Sequence, residues 1–139
     1  MATAQPPPPE VLALVAADHI YRDESTGKLF ILGTRSAFGA AAFPFHCSNL
    51  AVYASMIDGR GETALLVRLV DVDEAREPVL EHETTVNFHD PTEEVEVVFR
   101  LEDLVFPEPG DYRLQIHGAG QFLRERRLLI IPLENPGRR

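Results

Sequence analysis

From Val95 to Leu101, Val95, Val97, Phe99 and Leu101 fall on alternate positions, with Glu96, Val98 and Arg100 between them. This period of two marks a strand with one buried side and one mostly wet side. Residues 112–117 repeat it, with Tyr112, Leu114 and Ile116 inward and Arg113, Gln115 and His117 outward. Sustained helical periodicity is missing, so the body reads as all-β. Val11 to Arg22 and Lys28 to Thr34 flank the polar, glycine-ended turn 23–27 and predict a hairpin. Leu50 to Ile57 and Thr63 to Asp73 flank Asp58-Gly59-Arg60-Gly61. Its Asp-Gly pair supplies the positive φ of tight hairpins, which predicts a second one. Further strands follow at Val79–Phe88, from about Glu94 and at Phe122–Pro132, separated by turns at His89-Asp90-Pro91-Thr92 and Gly118-Ala119-Gly120. The sum is about eight short strands between regular turns, the signature of an antiparallel β-sandwich.

Ser36 to Ser48 resists the pattern: it is Ala-rich and apolar, and Pro44 bars a regular central strand near its end. It reads as a connection crossing between sheets beneath the core. The functional alternative makes Phe38, Phe43 and Phe45 an apolar partner-binding edge. The prolines at 6–9 favour an extended arm, so residues 1–10 read as a flexible tail, 11–133 as one sandwich domain and 134–139 as a polar tail.

A chain of 139 residues holds one domain with an ordinary core. A formal charge of −9 repels a phosphate backbone, so nucleic acid is not an expected partner. No apolar run is long enough for a membrane helix, and residues 1–10 carry no basic residue of a signal peptide. A soluble, cytoplasmic protein is expected. The single cysteine, Cys47, allows no internal disulfide.

Motifs for chemistry are weak. His46 and Cys47 are adjacent, so on an extended backbone their side chains leave opposite sides and cannot readily pair. One cysteine with His19, His46, His82, His89 and His117 shows no zinc spacing. His82 falls in phase with Leu80, Thr84 and Val86, as a hydrogen-bonded core or rim histidine. Gly118-Ala119-Gly120 precedes no helix that would make it a phosphate loop. Glu81 with Glu83, and Glu94 with Glu96, read as wet strand faces that discourage aggregation. Arg124, Arg126 and Arg127 read as their cross-strand partners or those of the acidic surface. No cofactor is expected. Calcium is the remaining metal reading: strands that alternate up and down would gather the turns of Asp23, Asp58 and Asp90 at one end, as oxygen ligands.

Phe106-Pro107-Glu108-Pro109-Gly110-Asp111-Tyr112 resembles the corner of immunoglobulin-like sandwiches, where a tyrosine opening a strand bonds back to upstream backbone. That resemblance makes Tyr112 and Gly110 structural. Over roughly residues 14 to 133 the chain also resembles a family of small bacterial proteins built on a domain of unknown function. The residues that carry this are Asp18, Tyr21, Asp23, Thr26-Gly27-Lys28, Ile31-Leu32-Gly33, Phe43-Pro44, Val52-Tyr53, Asp58-Gly59-Arg60-Gly61 and 107–112. The resemblance implies a sandwich and transfers no catalytic residue. Twelve arginines against one lysine suit a GC-rich bacterial genome. The leading expectation is a non-enzymatic module that binds an unidentified protein or forms a homodimer through edge strands. The rival is a ligand- or calcium-binding sandwich.

Overall fold

The apolar face of 95–101 extends into a strand of twelve residues, because Leu104 and Phe106 continue the buried row past Asp103. In the computed structural model, which describes residues 7–133, this is the seventh of nine strands. They are β1 (Glu10–Arg22), β2 (Leu29–Thr34), β3 (Ala37–Ala40), β4 (Phe45–Ile57), β5 (Gly61–Asp71), β6 (Leu80–Phe88), β7 (Val95–Phe106), β8 (Gly110–Gly118) and β9 (Gln121–Pro132). Among the described residues there is no helix, and so none long and apolar enough to cross a membrane.

The strands form two sheets, ordered β2-β1-β4-β7 and β3-β9-β8-β5-β6. Leu14, Leu50, Val52, Met56, Phe99 and Leu101 of the first join Leu65, Val67, Leu69, Leu114, Ile116, Leu128 and Ile130 of the second in one buried cluster. Burial of such side chains contributes roughly 1.5–3 kcal/mol each and is the main force holding the sheets. A smaller cluster of Ala17, Ile20 and Ala51 packs with Leu29, Ile31, Tyr53 and Val98.

Three expectations change. The strand beyond the expected eight is β3, inside the apolar connection. Ala37, Phe38, Gly39 and Ala40 alternate in burial, but with only small residues facing Phe38 no polar alternation betrays it. β3 pairs with β9 in parallel, whereas the other pairs are antiparallel. The chain thus leaves the first sheet after β2, adds β3 to the second and returns at β4. Next, β4 and β5 are not a hairpin: they lie in different sheets, and 58–60 is an arch between them. Positive φ falls on Asp58 and Gly61 instead of Gly59. The β1–β2 hairpin does form, from Ala17↔Thr34 to Arg22↔Leu29. Finally, Glu10 opens β1 and Pro9 is buried, so the folded body begins within the stretch read as a tail. Residues 1–6 and the tail 134–139 lie outside the described residues.

Candidate functional site

Phe38, Phe43 and Phe45 are not a free surface. Phe38 is buried, and Phe43 and Phe45 are half-buried against the main cluster. The rings of Phe38 and Phe45 lie 6.0 Å apart, Phe45 stacks on Phe106 at 6.0 Å, and the Arg35 guanidinium sits 4.7 Å over Phe38. These residues fasten the crossing segment to the core.

The acidic turns do not converge either. The register sets Glu10 opposite Ile57, so Asp58 follows at the N-terminal end of β1, while Asp23 follows its C-terminal end. With 13 residues in β1 at about 3.3 Å each, the two ends are about 40 Å apart. Missing β3 shifted the up-and-down parity of every later turn by one. Only Asp58 and Asp90 remain neighbours, through the Asp58 N–H that donates to the Pro91 carbonyl at 2.9 Å. Asp23 is occupied by its own turn, accepting from Thr26 N–H, Thr26 Oγ1 and Ser25 Oγ, which hold its carboxyl below the usual carboxylate range. Asp90 likewise caps Thr92. Among the described residues, no group of three or more His, Cys, Asp or Glu is placed to hold a metal ion.

Other singled-out groups have structural employment. The Tyr112 hydroxyl donates to the Glu108 carbonyl at 2.7 Å, and its ring meets Phe106 edge-on at 5.0 Å. Gly110 opens β8 two residues earlier, with φ 153°. Beside this corner a pocket of about 250 Å³ is lined by Asp71, Arg76, Glu108 and Asp111, and Arg76 pairs there with Glu108. Cys47 is buried, its thiol donating to the Asn49 carbonyl, and burial pushes its pKa up. His46 beside it is exposed. His82 is exposed at the rim, on the core-facing side of β6 in phase with Leu80 and Val86, with its ring edge-on to Phe99 of the first sheet at 6.1 Å. Arg127 pairs with Asp111, and Arg126 donates to the Leu14 carbonyl of β1, where β2 no longer covers that strand's edge.

On the outer side of the second sheet the expected outward row of β8 becomes a polar network. Arg113 bonds Asp111 and Glu125, Gln115 donates to Glu125, and His117 Nε2 lies 3.1 Å from Gln115 Oε1. The His117 ring also meets Phe122 edge-on at 5.6 Å. Burial, and then repulsion from Arg68, lower the His117 pKa; Glu74 and Glu81 oppose this weakly. The unfolded chain, whose histidine titrates near 6.5, therefore takes up this proton first as pH falls. His117 contributes stability that is present above about pH 6.5 and is lost as pH drops through the lower folded value. Thermal melts from pH 7 to pH 5 should accordingly fall more steeply for the native chain than for His117→Gln. Parallel curves would remove His117 as the cause. Asp23, Asp90 and Asp111, whose pKa values are lowered from 3.8, act in a separate and more acidic window.

Among the described residues, one face of the β1–β2 hairpin gathers several exposed large apolar side chains. Tyr21 pairs with Phe30 and His19 with Leu32, so these four side chains share a face. Tyr21, Phe30 and Leu32 are 53%, 47% and 52% exposed, and the two rings lie 6.1 Å apart. The other face is used: Ile20, Leu29 and Ile31 belong to the smaller apolar cluster. Three large apolar side chains grouped on an edge hairpin differ from single exposed hydrophobics, which are common. At its end, Gly33 (φ 72°) stands where any Cβ would lie 2.5 Å from Asp18 Oδ2, leaving room for the Asp18–Arg35 pair at 2.7 Å. Sequence reading passed over this surface although Leu29-Phe30-Ile31-Leu32 carries the signal: a strand apolar on both faces beside a polar turn cannot bury both in one layer.

A comparison with curated proteins finds none that matches. The model of a family of unknown function (DUF6941) matches residues 12–131, from β1 almost to the end of β9.

Proposed function

The chain belongs to that family of unknown function, and from this premise we propose that it is a non-enzymatic protein-interaction module working through the β1–β2 hairpin. The observation that carries the reading is the half-exposed Tyr21, Phe30 and Leu32 on one face of an edge hairpin. Apolar contacts of this kind exclude water at the centre of protein interfaces and supply much of their affinity. The scaffold is an immunoglobulin-like β-sandwich in this reading. Two features support that: the Tyr112–Glu108 bond where the chain passes from β7 to β8, and the arch that carries β4 into β5 of the other sheet. A bacterial cytoplasmic setting suits the arginine-rich composition and the lone buried thiol.

The test is a photo-cross-linking amino acid at position 30, introduced in the native host. A discrete protein adduct at position 30, with none at the exposed position 62, is the expected result, and Leu32→Lys should abolish it. Equal labelling at the two positions would refute the hairpin as the working surface.

A further inference from the structure

We infer that the occupant of the hairpin is a second copy of this chain, its β2 adding antiparallel to β2 so that two four-stranded sheets become one. This rests on the reading of the hairpin as the working surface and commits it to a partner. Strand edges left open invite pairing, and folded proteins blunt them with charges, bulges, prolines or short length. Three of the four sheet edges here are blunted. β6 exposes Glu81, His82 and Glu83; β7 exposes Glu96, Arg100 and Glu102 and is distorted at Asp103, with φ 55°; β3 is four residues long. β2 is the least protected, its one positive-φ residue, Gly33, lying next to its end. Its six residues, Leu29-Phe30-Ile31-Leu32-Gly33-Thr34, contain no charge and no proline.

Charge permits a second copy at such an edge. The chain carries −9, so two copies repel over most of their surfaces. Residues 18–35 are neutral overall, Asp18, Asp23 and Glu24 being balanced by Arg22, Lys28 and Arg35, so the hairpin adds nothing to that repulsion. Several of these charges are already engaged locally, Asp18 with Arg35, Asp23 with its own turn and Arg22 with the Gly27 carbonyl. Two copies therefore meet without net repulsion at the edge that is open. A two-fold axis at Ile31 sets Phe30 of one copy opposite Leu32 of the other on both sides of the axis, an aromatic–aliphatic cross-strand pair made twice. Three half-exposed side chains and one strand per copy give a small interface, so association should be modest, with a dissociation constant on the order of micromolar.

Sedimentation or light scattering on the full chain at about 100 µM should give twice the 15.5 kDa monomer mass. Leu32→Lys should return the monomer with unchanged dichroism, while Leu133→Lys, exposed but off the hairpin, should leave the dimer. Hydrogen exchange gives a second readout, in which β2 amides gain protection as concentration rises. A monomer at all concentrations, or a dimer indifferent to Leu32→Lys, overturns the inference. In a monomer, an adduct to a different protein at position 30 preserves the hairpin as the working surface and discards the dimer; labelling no greater there than at position 62 discards both.

Discussion

Phe106→Ala should lower the unfolding free energy by roughly 3–5 kcal/mol, the range for removing a fully buried phenylalanine whose cavity cannot collapse. Phe106 is wholly buried at the end of β7, where the chain leaves one sheet for the other. It stacks on Phe45 across the β4–β7 ladder and meets the Tyr112 ring of β8 edge-on, so both sheets and the crossing segment are held by one ring. Neither neighbour can move in to fill the space: Phe45 is fixed by its register with residue 106, and Tyr112 is tethered to the Glu108 carbonyl. Domains of this size are stable by roughly 5–15 kcal/mol, so the variant should sit near the edge of folding at 37 °C. Urea titration is the measurement. Phe45→Ala, only half-buried, should cost less, and the double variant less than the sum, because the two rings share one contact. A loss below about 1 kcal/mol for Phe106→Ala would contradict the packing.

The same residues show what the sequence could reveal. Strands β7 and β8 were legible because alternation of apolar and polar side chains records one buried face, a local property of the chain. The Tyr112 bond was legible because a corner needs only a few adjacent residues to specify it. Sheet membership was not. A turn such as 58–61 has similar composition whether it closes a hairpin or arches between layers, and what decides is where β5 finds its partners, β6 and β8. β3 was hidden because Ala and Gly carry little side-chain pattern, and its loss reversed the end assigned to Asp58 and Asp90 relative to Asp23. The phenylalanines at 38, 43 and 45 were visible as apolar residues, yet burial is a tertiary fact. The hairpin surface was visible too, in a strand apolar on both faces, but an expectation that one face always packs inward concealed it.

Gly59→Ala is expected to destabilise the protein by roughly 1–3 kcal/mol, the cost of forcing extra volume into a packed site. The reason differs from the usual one for glycine in a turn. Gly59 does not occupy the positive-φ region here; Asp58 and Gly61 do. Gly59 is buried, and a Cβ built on it would lie 2.5–2.6 Å from Cδ2, Cε2 and Cγ of the Phe88 ring. That ring is itself buried in the main cluster at the end of β6, so it cannot swing to solvent without giving up its own burial. The arch between the two sheets thus rests directly on the ring that closes the core beneath it. Shortening the ring tests this against any backbone effect. Phe88→Leu alone should destabilise by leaving space, whereas Gly59→Ala in the Phe88→Leu background should cost less than in the native chain, because the added methyl then enters room already made. Denaturant unfolding of the four proteins gives the coupling energy. Additive losses would place the cost of Gly59→Ala in the backbone and detach the arch from Phe88.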